Sequence, residues 1–314
     1  MNKLLFAALV SSALSVSAYA ADYAILAPAA PGGGWDQTAR TMQEALVGEG
    51  ISTNVQVTNV PGAGGTIGIA QFATQENGNP NALIVGGYVM VGAILTNASP
   101  VTLADVTPIA RLTGEAVAIV VPASSDIQSL DDLVAKLKEN TGGVSWAGGS
   151  AGGVDHITAG LIAKTIGVDP TQVNYIAYSG GGEALAAILG GQVTVGISGI
   201  SEFAGQIDAG ELRLIAVSSD ERVPGVDGPT LMEAGVDLAV QNWRMIAAAP
   251  GITDEQKAAI TADIKKMAES ATWQTALETK GWVDTYLDGE AFDAQLAADI
   301  AATETILKDI GLVQ

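Results

Sequence analysis

The stretch YAILAPAAPGGGWDQTAR (residues 23–40) runs a short apolar segment into three consecutive glycines and then into a helix-like pattern. YAILA (23–27) reads as a buried strand, and the helix is expected from about Trp35 to Val47. A glycine-rich turn between a strand and a helix suits an anion: helix N-termini present unpaired N–H groups, and glycine lets them approach closely. A nucleotide loop would follow its glycines with Lys-Ser or Lys-Thr, whereas Trp35-Asp36 follows here, so phosphate cradling of that kind is disfavoured. Asp36 is suited to organising the loop or a bound water, or to pairing with Arg40 one helical turn on.

The same junction recurs along the chain. NVQVTNV (54–60) is a strand of period two, followed by PGAGG and the helix TIGIAQFATQ; ALIVGG (82–87) and AVAIVVP (116–122) are buried strands. Ser129 to Asp132 reads as a capping box opening LDDLVAKLKEN, and Thr253 with Gln256 reads as a second. VSWAGG (144–149), VNYIAY (173–178), QVTVGIS (192–198) and ELRLIAVSS (211–219) are strands separated by helices. LAVQNWRMIAAAP (238–250) reads as a long crossing strand, and the last sixty residues as helical. This alternation predicts an α/β fold with mostly parallel sheets, whose ligands bind at the carboxyl ends of strands.

Composition narrows the function. The chain has 314 residues, 48% hydrophobic and 15% charged, with 38 glycines and a net charge of −20. That field opposes nucleic acid and anionic membranes, and no basic cluster offsets it. An anionic ligand would have to be held by local donors. There is no cysteine and one histidine, and no Ca²⁺-loop spacing appears, so neither a metal nor a cofactor is expected. Lys3, the apolar run from Leu4 to about Val16, and Ala18-Tyr19-Ala20 have the form of a signal peptide cleaved after Ala20, which predicts export to the periplasm.

Two features carry specific alternatives. Gly148-Gly149-Ser150-Ala151-Gly152 satisfies the nucleophile-elbow pattern. A secreted esterase using Ser150 would need a downstream histidine, and His156 lies only six residues on, turned about 240° around the same predicted helix. Arg244 sits in an apolar run and needs a carboxylate partner, from the protein or from a ligand.

Taken in order, PGGGWD, PGAGGTIG, GGSAGGVDH and YSGGGEALAAILGGQV resemble the periplasmic substrate-binding component of tripartite tricarboxylate transporters. GGGWDQTAR and NWRMIAAAPG are similar to its citrate-binding branch. The resemblance implies a two-domain periplasmic binding protein, type II-like, closing as a clamp on a small carboxylate. One domain would comprise residues 21–121 plus 247–314 and the other 122–246. It implies ligand contacts at Gly33, Gly34, Trp35 and Asp36, then Ala63, Gly64, Gly65 and Thr66. Across the cleft it implies Ser150, Ala151, Gly152, His156, Tyr178, Gly181 and Gly182, with Arg244 as the charged candidate. Many family members carry Asp where this chain has Thr194 after GQV, which favours a ligand without an amino group. The implied role is a monomeric, non-enzymatic receptor delivering a citrate-like di- or tricarboxylate to membrane permease subunits. A sensing protein partnered with a signalling receptor is the alternative.

Overall fold

The computed structural model describes residues 21–314; the expected signal peptide lies outside them. From the N-terminus, β1 (Ala21–Ala27), α1 (Gly34–Gly48), β2 (Ser52–Asn59), α2 (Thr66–Gln75), β3 (Ala82–Gly87) and α3 (Tyr88–Thr96) alternate as the pattern predicts, with α3 an unforeseen addition. The strand β4 (Thr107–Pro122) then runs for 16 residues, well beyond the expected seven-residue segment.

Beyond β4 the alternation resumes. The elements are α4 (Leu130–Asn140), β5 (Ser145–Gly148), α5 (Val154–Thr165), β6 (Asn174–Ala177), α6 (Gly181–Leu189), β7 (Val195–Gly199), α7 (Ile200–Asp208) and β8 (Leu212–Val217). The chain returns through β9 (Gln241–Ala248) to α8 (Asp254–Ala268), α9 (Ala271–Lys280), β10 (Trp282–Asp288) and α10 (Gly289–Asp309). Both predicted capping boxes form, at Ser129 with Asp132 and at Thr253 with Gln256.

The sheet order is β2-β1-β3-β9-β4-β7-β5-β6, with β8 and β10 also pairing with β4. The β1–β2, β1–β3, β5–β6 and β5–β7 pairs are parallel. Every pairing of β4 and β9 is antiparallel, so the expectation of mostly parallel pairing is corrected to a mixed sheet. The reason is β4 itself. Its first part pairs with β9 and β10, and from Val117 on it pairs with β7 and β8. The buried clusters divide at the same place: Leu112 and Trp243 pack with Trp273 and Phe292, whereas Val117 packs with Trp146 and Leu231. Gln241–Ile246, assigned from sequence to the second domain, pair with β3 and the first part of β4. The expected all-helical C-terminus contains β10, an antiparallel strand on the edge of β4.

Candidate functional site

At the first junction Asp36 is 3% exposed and wholly engaged by its own loop. It accepts the Gly32 N–H at 2.8 Å, the Arg40 Nε–H at 3.0 Å and the Asn59 side-chain amide at 2.9 Å. Burial alone would raise its pKa, but Arg40, Gly32 and Asn59 outweigh it and hold the carboxyl below its usual range. Asp36 therefore shapes the turn that presents Gly33, Gly34 and Trp35. At the second junction Gly62, Gly64 and Gly65 all have positive φ (134°, 63° and 87°), a path that side chains rarely follow. Gly65 also accommodates the Trp35 ring, which would lie 2.8 Å from an added Cβ.

The third junction is held from behind. Asp155 accepts the Gly149 N–H at 2.8 Å, and the Tyr175 hydroxyl donates to the Gly149 carbonyl at 2.8 Å. His156 accepts the Gly152 N–H through Nδ1 at 3.2 Å and stacks on Tyr175 with ring centroids 4.2 Å apart. Burial lowers its pKa to about 4, so it is a neutral prop. Its Nδ1 lone pair is engaged, and among the described residues no hydrogen bond joins it to Ser150. A serine nucleophile here has no base.

These junctions meet at one cavity of about 60 Å³, lined by Gly33 and Gly34, Gly62 and Gly64, Gly149 and Ser150, and Ser179 to Gly181. Trp35, Pro28 and Val89 add an apolar wall; Asp155, Ser198, Glu202, Asn242 and Arg244 supply the polar floor. An adjoining recess of about 340 Å³ shares Ser150 and Ser179 and is flanked by Ala63, Asn97, Ala151, Tyr178 and Glu183. Of the residues singled out from sequence, Gly33, Gly34, Trp35, Gly64, Ser150, Gly181 and Arg244 line the cavity, and Ala63, Ala151 and Tyr178 line the recess. Asp36, Gly65, Thr66, Gly152, His156 and Gly182 line neither.

The floor was the least legible part. Arg244 is 1% exposed and its Nη2 is paired with Glu115, which is fully buried. Glu115 also accepts the Ser201 N–H at the start of α7. The guanidinium stands 5.0 Å over the Trp282 ring, while its Nε and Nη1 have no hydrogen-bond partner among the described residues. Glu202 accepts the Ser198 hydroxyl. Burial raises the Glu202 pKa; the Ser198 bond opposes this, the Glu115 charge adds to it, and Arg244 and the Gly34 amide oppose it. Asp155 is pushed up to about 7, chiefly by burial, with Gly149 opposing and Glu202 and Glu115 adding. A lone charge within each of two apolar runs, GEAVAIVV and NWRMIAAA, was the available sign of the Glu115–Arg244 pair. Glu202 had only its one-turn spacing from Ser198.

Residues 38–312 match the model of the tripartite tricarboxylate transporter family receptor. The chain is 28% identical to Protein BugT of Bordetella pertussis across 89% of this chain and 81% of that protein. A relative from Agrobacterium vitis is 26% identical across 71% of this chain, and the match spans 64% of that protein's length. MatC from Rhodopseudomonas palustris, solved with bound malate, superposes with a TM-score of 0.81 at 24% identity, over 91% of this chain and 98% of that one. A second R. palustris protein, solved with adipate, gives 0.81 at 21%, over 92% and 97%. A two-part α/β scaffold, glycine-rich helix starts facing one cavity and a family match over most of the chain make this protein a solute receptor, not an enzyme, of the tripartite tricarboxylate transporter receptor family.

Proposed function

We propose that this chain binds a small organic dicarboxylate in the cleft and delivers it to the membrane subunits of a tripartite transporter. The observation that carries this reading is the meeting of four glycine-rich strand-to-helix junctions at one cavity. Each helix start offers oriented N–H groups and the positive end of a dipole, worth about 0.3–1 kcal/mol to an anion when exposed and more when partly buried. A chain of net charge −20 needs such local donors to hold an anion at all.

Four-carbon and six-carbon dicarboxylates are favoured over citrate because malate and adipate occupy two R. palustris proteins of this fold. An apolar cavity of about 150 Å³ is filled by benzene, so the inner cavity of about 60 Å³ cannot contain a whole dicarboxylate. The ligand must reach into the recess of about 340 Å³, or the cavity must widen. Widening fits a hinge at β4, with lobes meeting near Ala116–Val117 and Val240–Gln241, where the buried clusters separate. Export to the periplasm and work as a monomer complete the proposal.

Thermal unfolding with malate, succinate, adipate, citrate and a neutral sugar tests it. Tm should rise with dicarboxylate concentration as the ligand binds the folded state alone. A rise with the sugar, or none with any carboxylate, overturns it.

A further inference from the structure

Glu202 lies where the sequence placed a ligand. Its Oε1 is 3.7 Å from where a Cβ on Gly33 would stand, its Oε2 lies against Gly181, and the Gly34 amide acts on its carboxylate. It therefore sits between the starts of α1 and α6, where it takes the Gly34 amide, one of the donors a ligand carboxylate could use. Ser198 anchors it from its own side of the cleft.

Among the described residues Glu202 has no ion-pair partner of its own. The guanidinium facing it gives Nη2 to Glu115. The remaining Nε and Nη1 are unpartnered on a side chain 1% exposed that lines the same cavity. Buried donors without acceptors are costly, and a carboxylate is what they fit. So the cavity holds one carboxylate of the protein's own beside a guanidinium two of whose nitrogens have no acceptor among the described residues. A second carboxylate cannot share the place Glu202 fills, and any charge on Glu202 would repel it.

We propose that Glu202 is an internal competitor for the ligand: it holds the carboxylate seat between α1 and α6, and a dicarboxylate binds by displacing it. Departure of its side chain also enlarges the inner cavity, which by itself is too small for a dicarboxylate. The resident carboxylate lowers affinity and ties the two sides of the cleft together in the interim.

This inference rests on the receptor reading above, and calorimetric titration of malate, adipate and aspartate into wild type, Glu202→Gln and Glu202→Ala separates the two. Gln preserves the shape and an acceptor for Ser198; Ala empties the seat. Circular dichroism and unloaded Tm report folding for each. Both variants should bind dicarboxylates about fivefold or more tighter than wild type, the gain expected when one dipole-held anion no longer has to be displaced. Wild-type binding with equal or weaker binding in a folded variant overturns the competitor role alone. Weakening confined to an amino dicarboxylate such as aspartate also overturns it, because Glu202 would then be accepting from a ligand ammonium. No carboxylate binding to any of the three proteins overturns the receptor reading and the competitor role together.

Discussion

Asp36 and Asp155 hold equivalent places in two strand-to-helix junctions, and they are in opposite electrostatic states. Each lies in the first turn of its helix, is at most 5% exposed and reaches back to accept a loop amide, from Gly32 and Gly149 respectively. Asp36 adds Arg40 and Asn59, and its pKa is lowered. Asp155 has buried carboxylates for neighbours, and its pKa rises to about 7. The first junction is thus complete in itself, whereas the second contributes an unbalanced charge to the cavity floor. The Asp36 loop carries no unbalanced charge; the cavity floor, with Asp155, Glu202 and the Glu115–Arg244 pair, holds the buried charges of the site.

The largest break in this contrast comes from removing the one cation in the floor. Arg244→Met should lower unfolding free energy by about 3–5 kcal/mol in urea, because Glu115 is left buried and unpaired. Combining it with Glu115→Leu should restore much of the loss. A single variant as stable as wild type would show that the pair contributes nothing.

Acidity separates the two aspartates next. The folded pKa of Asp155, about 7, lies above its unfolded value near 4. Between those values the folded state keeps a proton that the unfolded state has released, so stability falls as pH rises through the window and levels off above it. Asp155→Asn should therefore stabilise the protein by on the order of 2 kcal/mol at pH 7.5 and hardly at all near pH 4. His156 has the reverse sign: its folded pKa near 4 is below the unfolded value of about 6.5, so stability is lost as pH falls between them. The two slopes oppose each other in wild type, and Asp155→Asn should expose the histidine slope in a Tm-against-pH series. A flat series for the variant would contradict the histidine assignment, and a wild-type series parallel to it would contradict the aspartate one.

Asp36→Ala should cost about 1–3 kcal/mol by leaving loop donors without their acceptor. Because the wild-type carboxyl is depressed, its contribution is present above the unfolded pKa and lost as pH falls through the folded one; equal destabilisation at pH 7 and pH 2 would refute that. The smallest effect is spectroscopic. Trp35 lines the cavity, and Trp35→Phe should abolish most of the fluorescence change on adding malate. An undiminished change would assign the signal to another of the five tryptophans.

Regular patterning made the α/β alternation, both capping boxes and the glycine junctions legible, because those depend on neighbours in sequence. Features decided by distant pairing were not. TPIARLTGE carries Arg111, Thr113 and Glu115 within a strand, which hid the first part of β4. WVDTYLD in β10 is largely uncovered on one side and reads as part of a helical region. Glu202 lies on the short amphipathic helix ISEFAGQID, where an acidic residue normally marks the solvated face. Only the approach of α7 to Gly33 and Gly181 turns it into the cavity.

The most direct measurement is a crystal structure of the protein grown with malate. The predicted result is a carboxylate within hydrogen-bond reach of the amides at the starts of α1 and α6, the Gly34 amide that acts on Glu202 among them. Malate bound away from these junctions, or contacting none of their N–H groups, would contradict the account.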